Sequence, residues 1–169
     1  MDNTDYGLIS AQLSSLADDT PLWLPLLSNA AALIAESLPA ISWAGFYLAR
    51  PGRTLILGPF QGRLACTEIP FGKGVCGTAA KADAIQVVPD VHAFPGHIAC
   101  DAASASEIVV PIHADDEVVA VLDIDSPLKG RFGADDARGL AQCCHVLEER
   151  LVWDLPLLPQ TGRSDRLPS

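Results

Sequence analysis

Apolar residues recur near helical spacing at both ends of the chain. The stretch Tyr6–Leu16 shows this spacing, which predicts a first helix. A second, apolar on most faces, is predicted to run to about Ser37, with Thr20 as its N-cap and Pro21 at its first position. A short helix is predicted at 75–80. The spacing of leucines over Ala134–Trp153 predicts a closing amphipathic helix.

Short apolar runs bounded by turn residues predict strands between these helices. They are Ile41–Leu48, Thr54–Leu57, Leu64–Ile69, Ile85–Val88, Glu107–Ile112 and Glu117–Ile124. The last two face each other across Asp115 and Asp116, which is typical of a hairpin. This order of elements predicts an α+β fold, in which helices pack against one face of an antiparallel sheet.

The length and composition are typical of one domain. The 169 residues suit a single domain, which we place at residues 1–153. The segment 154–169 is rich in Pro, Ser, Gly and Arg, and we expect a disordered tail there. The apolar stretch Leu22–Ala49 is interrupted by Pro25 and Glu36, so we expect no membrane helix.

The net charge and the N-terminal residues argue against two classes of protein, those that bind nucleic acid and those that carry a signal peptide. The net charge of −10 argues against a nucleic-acid partner, because phosphate binding needs clustered Lys and Arg. The first five residues are acidic and lack the basic region of a signal peptide. We therefore expect a cytoplasmic protein, whose five cysteines are more often catalytic, metal-binding or buried than structural disulfides.

A long loop and its cysteine are the first candidates for chemistry. Eighteen residues without periodicity separate Val88 from Glu107, and loops of this length are usually functional or disordered. The loop carries His92, His97 and Cys100. Cys66 and Cys76 are further candidates for chemistry.

The four other cysteines divide by position. Cys66 lies in the loop-rich middle of the chain. Cys76 lies at the start of a predicted helix, where backbone N–H groups favour a thiolate, so we expect a lowered pKa. Cys143 and Cys144 lie inside the last predicted helix and are expected in the core.

Two carboxylates end the most apolar strand. Asp123 and Asp125 are two residues apart, so their side chains point to one face of the sheet. Glu107 begins the neighbouring strand and can join them. Like charges side by side are costly unless a cation binds or one group keeps its proton. The alternative is that Asp125 belongs to a turn and Asp123 is solvated.

A zinc site and a serine hydrolase site are two further alternatives. His92, His97 and Cys100, with Cys66 or Cys76, have spacings compatible with zinc, but no CxxC pair is present. A serine hydrolase is disfavoured because there is no G-x-S-x-G elbow.

Seven strings go beyond these general patterns. They are WAGFY at 43–47, GPFQG at 58–62, IPFGKGVCG at 69–77, VPDVH at 88–92, FPGHIACD at 94–101, SEIVVP at 106–111 and VLDIDSP at 121–127. In this order and spacing they closely resemble the free methionine-(R)-sulfoxide reductases, which are built on a GAF domain. The resemblance covers about Leu26 to Trp153. It implies a six-stranded antiparallel sheet with helices mainly on one face, and a homodimer.

The resemblance also implies roles for individual residues. It assigns Cys100 as the nucleophile, Cys66 as the resolving cysteine and Cys76 as a third thiol that shares either role. The residues that it assigns to substrate binding are Glu107, Asp123, Asp125, Trp43 and Tyr47, the last two as the wall around the methyl-sulfur end.

The activity implied is thiol-dependent reduction of free L-methionine (R)-sulfoxide to methionine. The reaction would pass through a cysteine sulfenic acid and an intramolecular disulfide, which thioredoxin would reduce. It needs no metal or organic cofactor. The main alternative is a GAF module without catalytic activity that binds a small molecule or senses oxidation.

Overall fold

The structure, a computed structural model, describes residues 4–19, 21–96 and 104–153. Cys100, His97 and the predicted tail at 154–169 lie outside these residues. The elements are α1 (Tyr6–Asp19), α2 (Trp23–Ser37), β1 (Trp43–Arg50), β2 (Thr54–Gln61), β3 (Glu68–Pro70), α3 (Gly74–Ala82), β4 (Gln86–Val88), β5 (Ser106–Ala114), β6 (Glu117–Ser126) and α4 (Ala134–Arg150). A short 3-10 helix, Val91–Ala93, lies in the long loop.

The six strands form one antiparallel sheet, as predicted. Their spatial order is β3-β2-β1-β6-β5-β4. Strand β6 therefore lies between β1 and β5, near the middle of the sheet. Because side chains alternate along a strand, each face of the sheet receives every second residue. The two faces bury separate apolar cores.

Three of the four helices cover one face. Helices α1, α2 and α4 pack there against Phe46, Leu122 and their neighbours. The opposite face is covered by α3, whose Val75 and Ala79 pack against Tyr47 and Val121. The prediction that helices pack mainly on one face is confirmed, and α3 is the exception.

Two predicted helix boundaries differ from the structure, the start of α2 and the end of α4. Helix α2 begins at Trp23, so the placement of Pro21 as its first residue is wrong, and Leu22 is the N-cap. Helix α4 ends at Arg150, before the predicted end at Trp153. One interaction explains both, since Leu22 and Val152 are extended and pair as a parallel bridge. Among the described helices, none is long and apolar enough to cross a membrane.

The predicted strand Leu64–Ile69 is mostly not a strand. Only Glu68–Pro70 pairs, and it pairs with the start of β2. The preceding residues, 62–67, form no ladder. The carbonyl of Arg63 instead accepts a hydrogen bond from the indole of Trp43, and that of Cys66 accepts one from the hydroxyl of Tyr47.

A histidine joins the ends of three elements. The backbone N–H of His113 donates to Glu148 Oε1 at 2.8 Å. Its Nδ1 lies 2.8 Å from the same oxygen, and its Nε2 lies 2.6 Å from Asp83 Oδ1 at the end of α3. Partial burial lowers the pKa of His113, but the two carboxylates outweigh it, and the pKa lies above its ordinary value. His145 also faces Glu148, at 3.3 Å.

His113 should therefore make stability depend on pH. A raised pKa in the folded state stabilises fully below the unfolded pKa of about 6.5, and this stabilisation is lost as pH rises through the folded value. We expect His113→Gln to lower the free energy of unfolding more at pH 5.5 than at pH 8.5. The difference should not exceed about 1 kcal/mol, because the pair is partly exposed. Urea unfolding of both proteins at the two pH values measures it, and an equal loss at both would contradict a charged His113.

Candidate active site

The predicted site residues on β1, β5 and β6 project from one face of the sheet, the one that α3 covers. Asp125 on β6 lies opposite Trp43 on β1 and opposite Glu107 on β5. Residues paired across antiparallel strands share a face. Asp123 is two residues from Asp125 along β6, and Tyr47 is four residues from Trp43 along β1. Both side chains therefore lie on this same face. The prediction that Asp123 and Asp125 point the same way is confirmed.

A glycine makes room beside Asp123. Gly45 is its partner on β1, and a Cβ there would lie 2.3 Å from the Cβ of Phe60 and 2.6 Å from the ring of Trp43. Since Gly45 has no side chain, Trp43 folds over β1 and stacks on Phe60 at 5.3 Å and on Tyr47 at 6.0 Å between ring centroids. The three rings form an aromatic wall next to the carboxylates.

Helix α3 brings a thiol to the carboxylates. Cys76 Sγ lies 3.8 Å from Glu107 Oε1, and the ligand atoms of Cys76, Glu107 and Asp123 all lie within 4.8 Å of one another. All three side chains are buried, and we call them the buried cluster. Gly77 permits this position of the helix, because a Cβ there would lie 2.3 Å from the carbonyl oxygen of Pro70.

The electrostatics of the buried cluster favour protonated groups. Burial, followed by the charges of Asp123 and Asp125, raises the pKa of Glu107 well above its ordinary value. Burial, followed by Asp125, does the same to the pKa of Asp123. The Oδ1 atom of Asp123 is buried and has no hydrogen-bond partner among the described residues. An orphaned carboxylate oxygen is costly in a dry interior and favours a proton or a bound cation.

The expectation of a lowered pKa for Cys76 is wrong. Although Cys76 lies in the first turn of α3, burial, followed by Asp123 and Glu107, raises its pKa well above the ordinary value. The charge of two neighbouring carboxyl groups and the loss of solvent outweigh the helix terminus. The thiol is therefore a neutral hydrogen-bond donor toward Glu107.

The two aromatic residues predicted as the pocket wall also have polar contacts. Trp43 Nε1 donates to the carbonyl of Arg63 at 3.1 Å, and the Tyr47 hydroxyl donates to the carbonyl of Cys66 at 3.1 Å. Burial, followed by Asp123, raises the pKa of Tyr47 above its ordinary value, so its hydroxyl keeps the proton that it donates.

The cysteines differ in bonding and burial. Cys66 is half-buried and disulfide-bonded. Cys76, Cys143 and Cys144 are free and buried. The last two lie in the core that includes α1, α2 and α4, which confirms their interpretation as packing residues.

Two of the predicted zinc ligands, His97 and Cys100, lie outside the described residues, so that set stays a prediction. Among the residues described, the group with ligand atoms near one another is the buried cluster, which contains no histidine. His92 lies in the 3-10 helix, where its backbone N–H donates to Asp90. One thiol and two carboxylates could hold a divalent cation.

Sequence reasoning assigned no role to Gly45 and Phe60. Both lie inside strings that carried the family resemblance, WAGFY and GPFQG. The two strings therefore contained these residues. Their role follows only from the pairing of β1 with β2, where Gly45 lies opposite Phe60.

Comparison with known proteins places the chain in a family. The GAF domain model matches residues 23–151. The free methionine-R-sulfoxide reductase of Escherichia coli is 48% identical over 147 residues, covering 87% of this chain and 88% of the relative. The enzyme of the same name from Saccharomyces cerevisiae is 52% identical over 145 residues, covering 82% and 81%.

A solved structure agrees in fold. It is the free methionine-R-sulfoxide reductase from Neisseria meningitidis in complex with its substrate, with a TM-score of 0.83 and 44% identity. The match covers 86% of this chain and 87% of that one. With the matched domain, the identities and the buried cluster taken together, this chain belongs to the free methionine-R-sulfoxide reductases, a family with the GAF domain.

Proposed function

We propose that this protein reduces free L-methionine (R)-sulfoxide to L-methionine by cysteine thiol chemistry. The observation that carries the proposal is the buried cluster with its unpartnered Asp123 oxygen, placed beside an aromatic wall. The family supports the same reaction, since relatives near 50% identity bear its name.

The carboxylates suit the ammonium group of a free amino acid. Glu107 and Asp123 are in no ion pair with any described residue. A charge-assisted hydrogen bond from an ammonium would satisfy Asp123 Oδ1. Methionine within a protein chain lacks that ammonium, so this part of the site selects the free amino acid. Trp43 and Tyr47 would contact the methyl-sulfur end.

The same cluster supplies a proton. A carboxyl group whose pKa is raised stays protonated near neutral pH and can act as a general acid. We assign this role to Glu107 or Asp123, with Asp125 contributing the negative charge that raises both pKa values. The proton goes to the sulfoxide oxygen as the sulfur is attacked.

The proposed cycle has three balanced steps. The Cys100 thiolate attacks the sulfoxide sulfur, the S–O bond of the substrate breaks, and its oxygen, carrying the proton from the buried cluster, is transferred to the Cys100 sulfur. The substrate sulfur is thereby reduced and leaves as methionine, while Cys100 is oxidised to a sulfenic acid. The Cys66 thiol then displaces water and forms a disulfide. An external dithiol, proposed to be thioredoxin, reduces that disulfide and is oxidised in turn.

The state of the described cysteines supports a redox role for Cys66. Cys66 is disulfide-bonded, whereas Cys76, Cys143 and Cys144 are free. The neutral, buried Cys76 suits a hydrogen-bond donor to Glu107 better than a nucleophile, because the reactive form of cysteine is the thiolate.

Several wider features belong to the same proposal. We propose a homodimer, a cytoplasmic location where thioredoxin is reduced, a single domain over 1–153 and a separate tail at 154–169. The cycle uses no metal or organic cofactor. A GAF module that only binds ligands or senses oxidation is the rival, and a divalent cation in the buried cluster is a second one. Metal analysis of reduced protein distinguishes the latter.

The activity itself is the first test. With thioredoxin, its reductase and NADPH, we expect the purified protein to consume free methionine (R)-sulfoxide and leave the S form. N-acetylmethionine (R)-sulfoxide should react poorly, because acetylation removes the ammonium. Chiral chromatography of the remaining sulfoxide measures all three. If neither diastereomer of the free amino acid is consumed, the enzyme proposal is wrong.

The cysteine roles predict distinct variants. Cys100→Ser should abolish methionine formation, because no thiolate attacks the sulfur. Cys66→Ser should release about one methionine per protein without external thiols and form no intramolecular disulfide. Cys143→Ser is the matched control and should keep nearly full activity, because Cys143 lies in the opposite core. Product quantification with mass spectrometry of the disulfide separates these outcomes, and an active Cys100→Ser would refute the assignment.

The carboxylates should govern substrate affinity. Glu107→Gln and Asp123→Asn each keep the shape, and the variant of the ionised group removes a charged hydrogen bond to the ammonium, worth about 1.5–3 kcal/mol. We expect KM for the free sulfoxide to rise about 10- to 150-fold in that variant, and kcat to fall in the variant of the group that acts as the general acid. Asp115→Asn in the β5–β6 turn is the control and should leave KM unchanged. Wild-type KM in both site variants would show that the ammonium binds elsewhere.

A further inference from the structure

Residues 62–67 connect β2 to β3 and carry Cys66; we call them the Cys66 segment. They lie in no strand or helix, and the Leu64 side chain is 90% exposed. Leu64 therefore does not anchor the segment, while Ala65 and Cys66 are partly buried against the core that contains Tyr47. The hydrogen bonds that its carbonyl groups accept add to this packing.

Among the described residues, three hydrogen bonds from neighbouring strands hold the Cys66 segment. Trp43 donates to the carbonyl of Arg63 and Tyr47 to that of Cys66, both at 3.1 Å. The backbone N–H of Leu57 donates to the carbonyl of Thr67 at 3.0 Å. Two of the three donors are therefore side chains, and both stand on β1.

These two donors are rigid. Trp43 and Tyr47 are 3% and 1% exposed, and their rings stack on each other. Strand β1 pairs with β2 on one side and with β6 on the other, so its backbone is fixed along both edges. The register of β1 with β6 also places both side chains on the same face of the sheet as Asp125 and Asp123. The site and the Cys66 segment thus share one support.

We propose that Trp43 and Tyr47 are positioning residues for Cys66, in addition to forming the pocket wall. Their N–H and O–H groups fix the Cys66 segment so that its thiol lies where it captures the sulfenic acid. This inference rests on the proposed function. Disulfide closure is a reaction between two held groups, and its rate depends on how closely their geometry is fixed.

Tyr47→Phe tests the inference, because it keeps the ring and removes only the hydroxyl. Tyr6→Phe is a matched control, since the Tyr6 hydroxyl also donates a short hydrogen bond, to Asp136 at 2.6 Å, but between α1 and α4. Reduced protein is mixed with free methionine (R)-sulfoxide without external thiol. Methionine release and disulfide formation are then followed separately, and dimedone traps the sulfenic acid.

In Tyr47→Phe, we expect the ratio of disulfide formation to methionine release to fall about two- to tenfold, the factor for one lost hydrogen bond. Dimedone adduct should rise accordingly. Tyr6→Phe should keep the wild-type ratio, even if its melting temperature falls. A wild-type ratio in Tyr47→Phe, or an equal loss in Tyr6→Phe, would overturn the inference. Trp43→Phe serves as the second variant if Tyr47→Phe does not fold.

A second measurement does not depend on the reductase activity. The equilibrium between the Cys66 disulfide and dithiothreitol is measured in wild type and Tyr47→Phe. A loosened Cys66 segment lowers the equilibrium constant for disulfide formation by the same two- to tenfold factor. If the wild type releases no methionine, the proposed function fails, and this equilibrium still decides the positioning role. An unchanged equilibrium together with an unchanged ratio would refute it.

Discussion

Glu107 and Asp123 are buried beside each other, and neither forms an ion pair with a described residue. The site depends on this constraint. Two carboxylates in a dry interior cannot both stay ionised cheaply. Their raised pKa values express this cost. The arrangement is stable when one group holds a proton or when a cationic ligand enters. Free methionine sulfoxide suits both features, since its ammonium is a cationic ligand and its basic oxygen can accept the proton that the carboxyl group holds.

The sheet register gives this constraint its position. Asp125 on β6 lies opposite Glu107 on one side and Trp43 on the other. A shift of one residue would turn the carboxylates toward the core under α1, α2 and α4. There they would face the hydrophobic core that contains Leu140. The apolar positions of β6 therefore fix the register, and the register in turn places the chemistry.

The sequence predicted those features that follow from local spacing. The two-residue separation of Asp123 and Asp125 places them on one face, and the leucine spacing of the last helix predicts its core side. Two predictions from local signals were wrong, because contacts from distant parts of the chain override those signals. The Thr20–Pro21 start of α2 is a common local signal, but Leu22 pairs with Val152, which is remote in sequence. Similarly, the helix-terminus argument for Cys76 could not include carboxylates from β5 and β6.

The thiols of Cys76 and Cys66 differ in burial, and this difference suits them to different roles. Cys76 is buried beside carboxylates, which makes its thiolate costly and keeps it as a neutral donor. Cys66, the proposed resolving cysteine, is half-buried on a segment with an exposed leucine, which suits approach by the proposed external dithiol. A resolving cysteine has to meet two opposing demands, because it must be held for the internal step and accessible for the external one. Hydrogen bonds from Trp43 and Tyr47 to backbone carbonyls satisfy both, since they fix the segment without covering its surface.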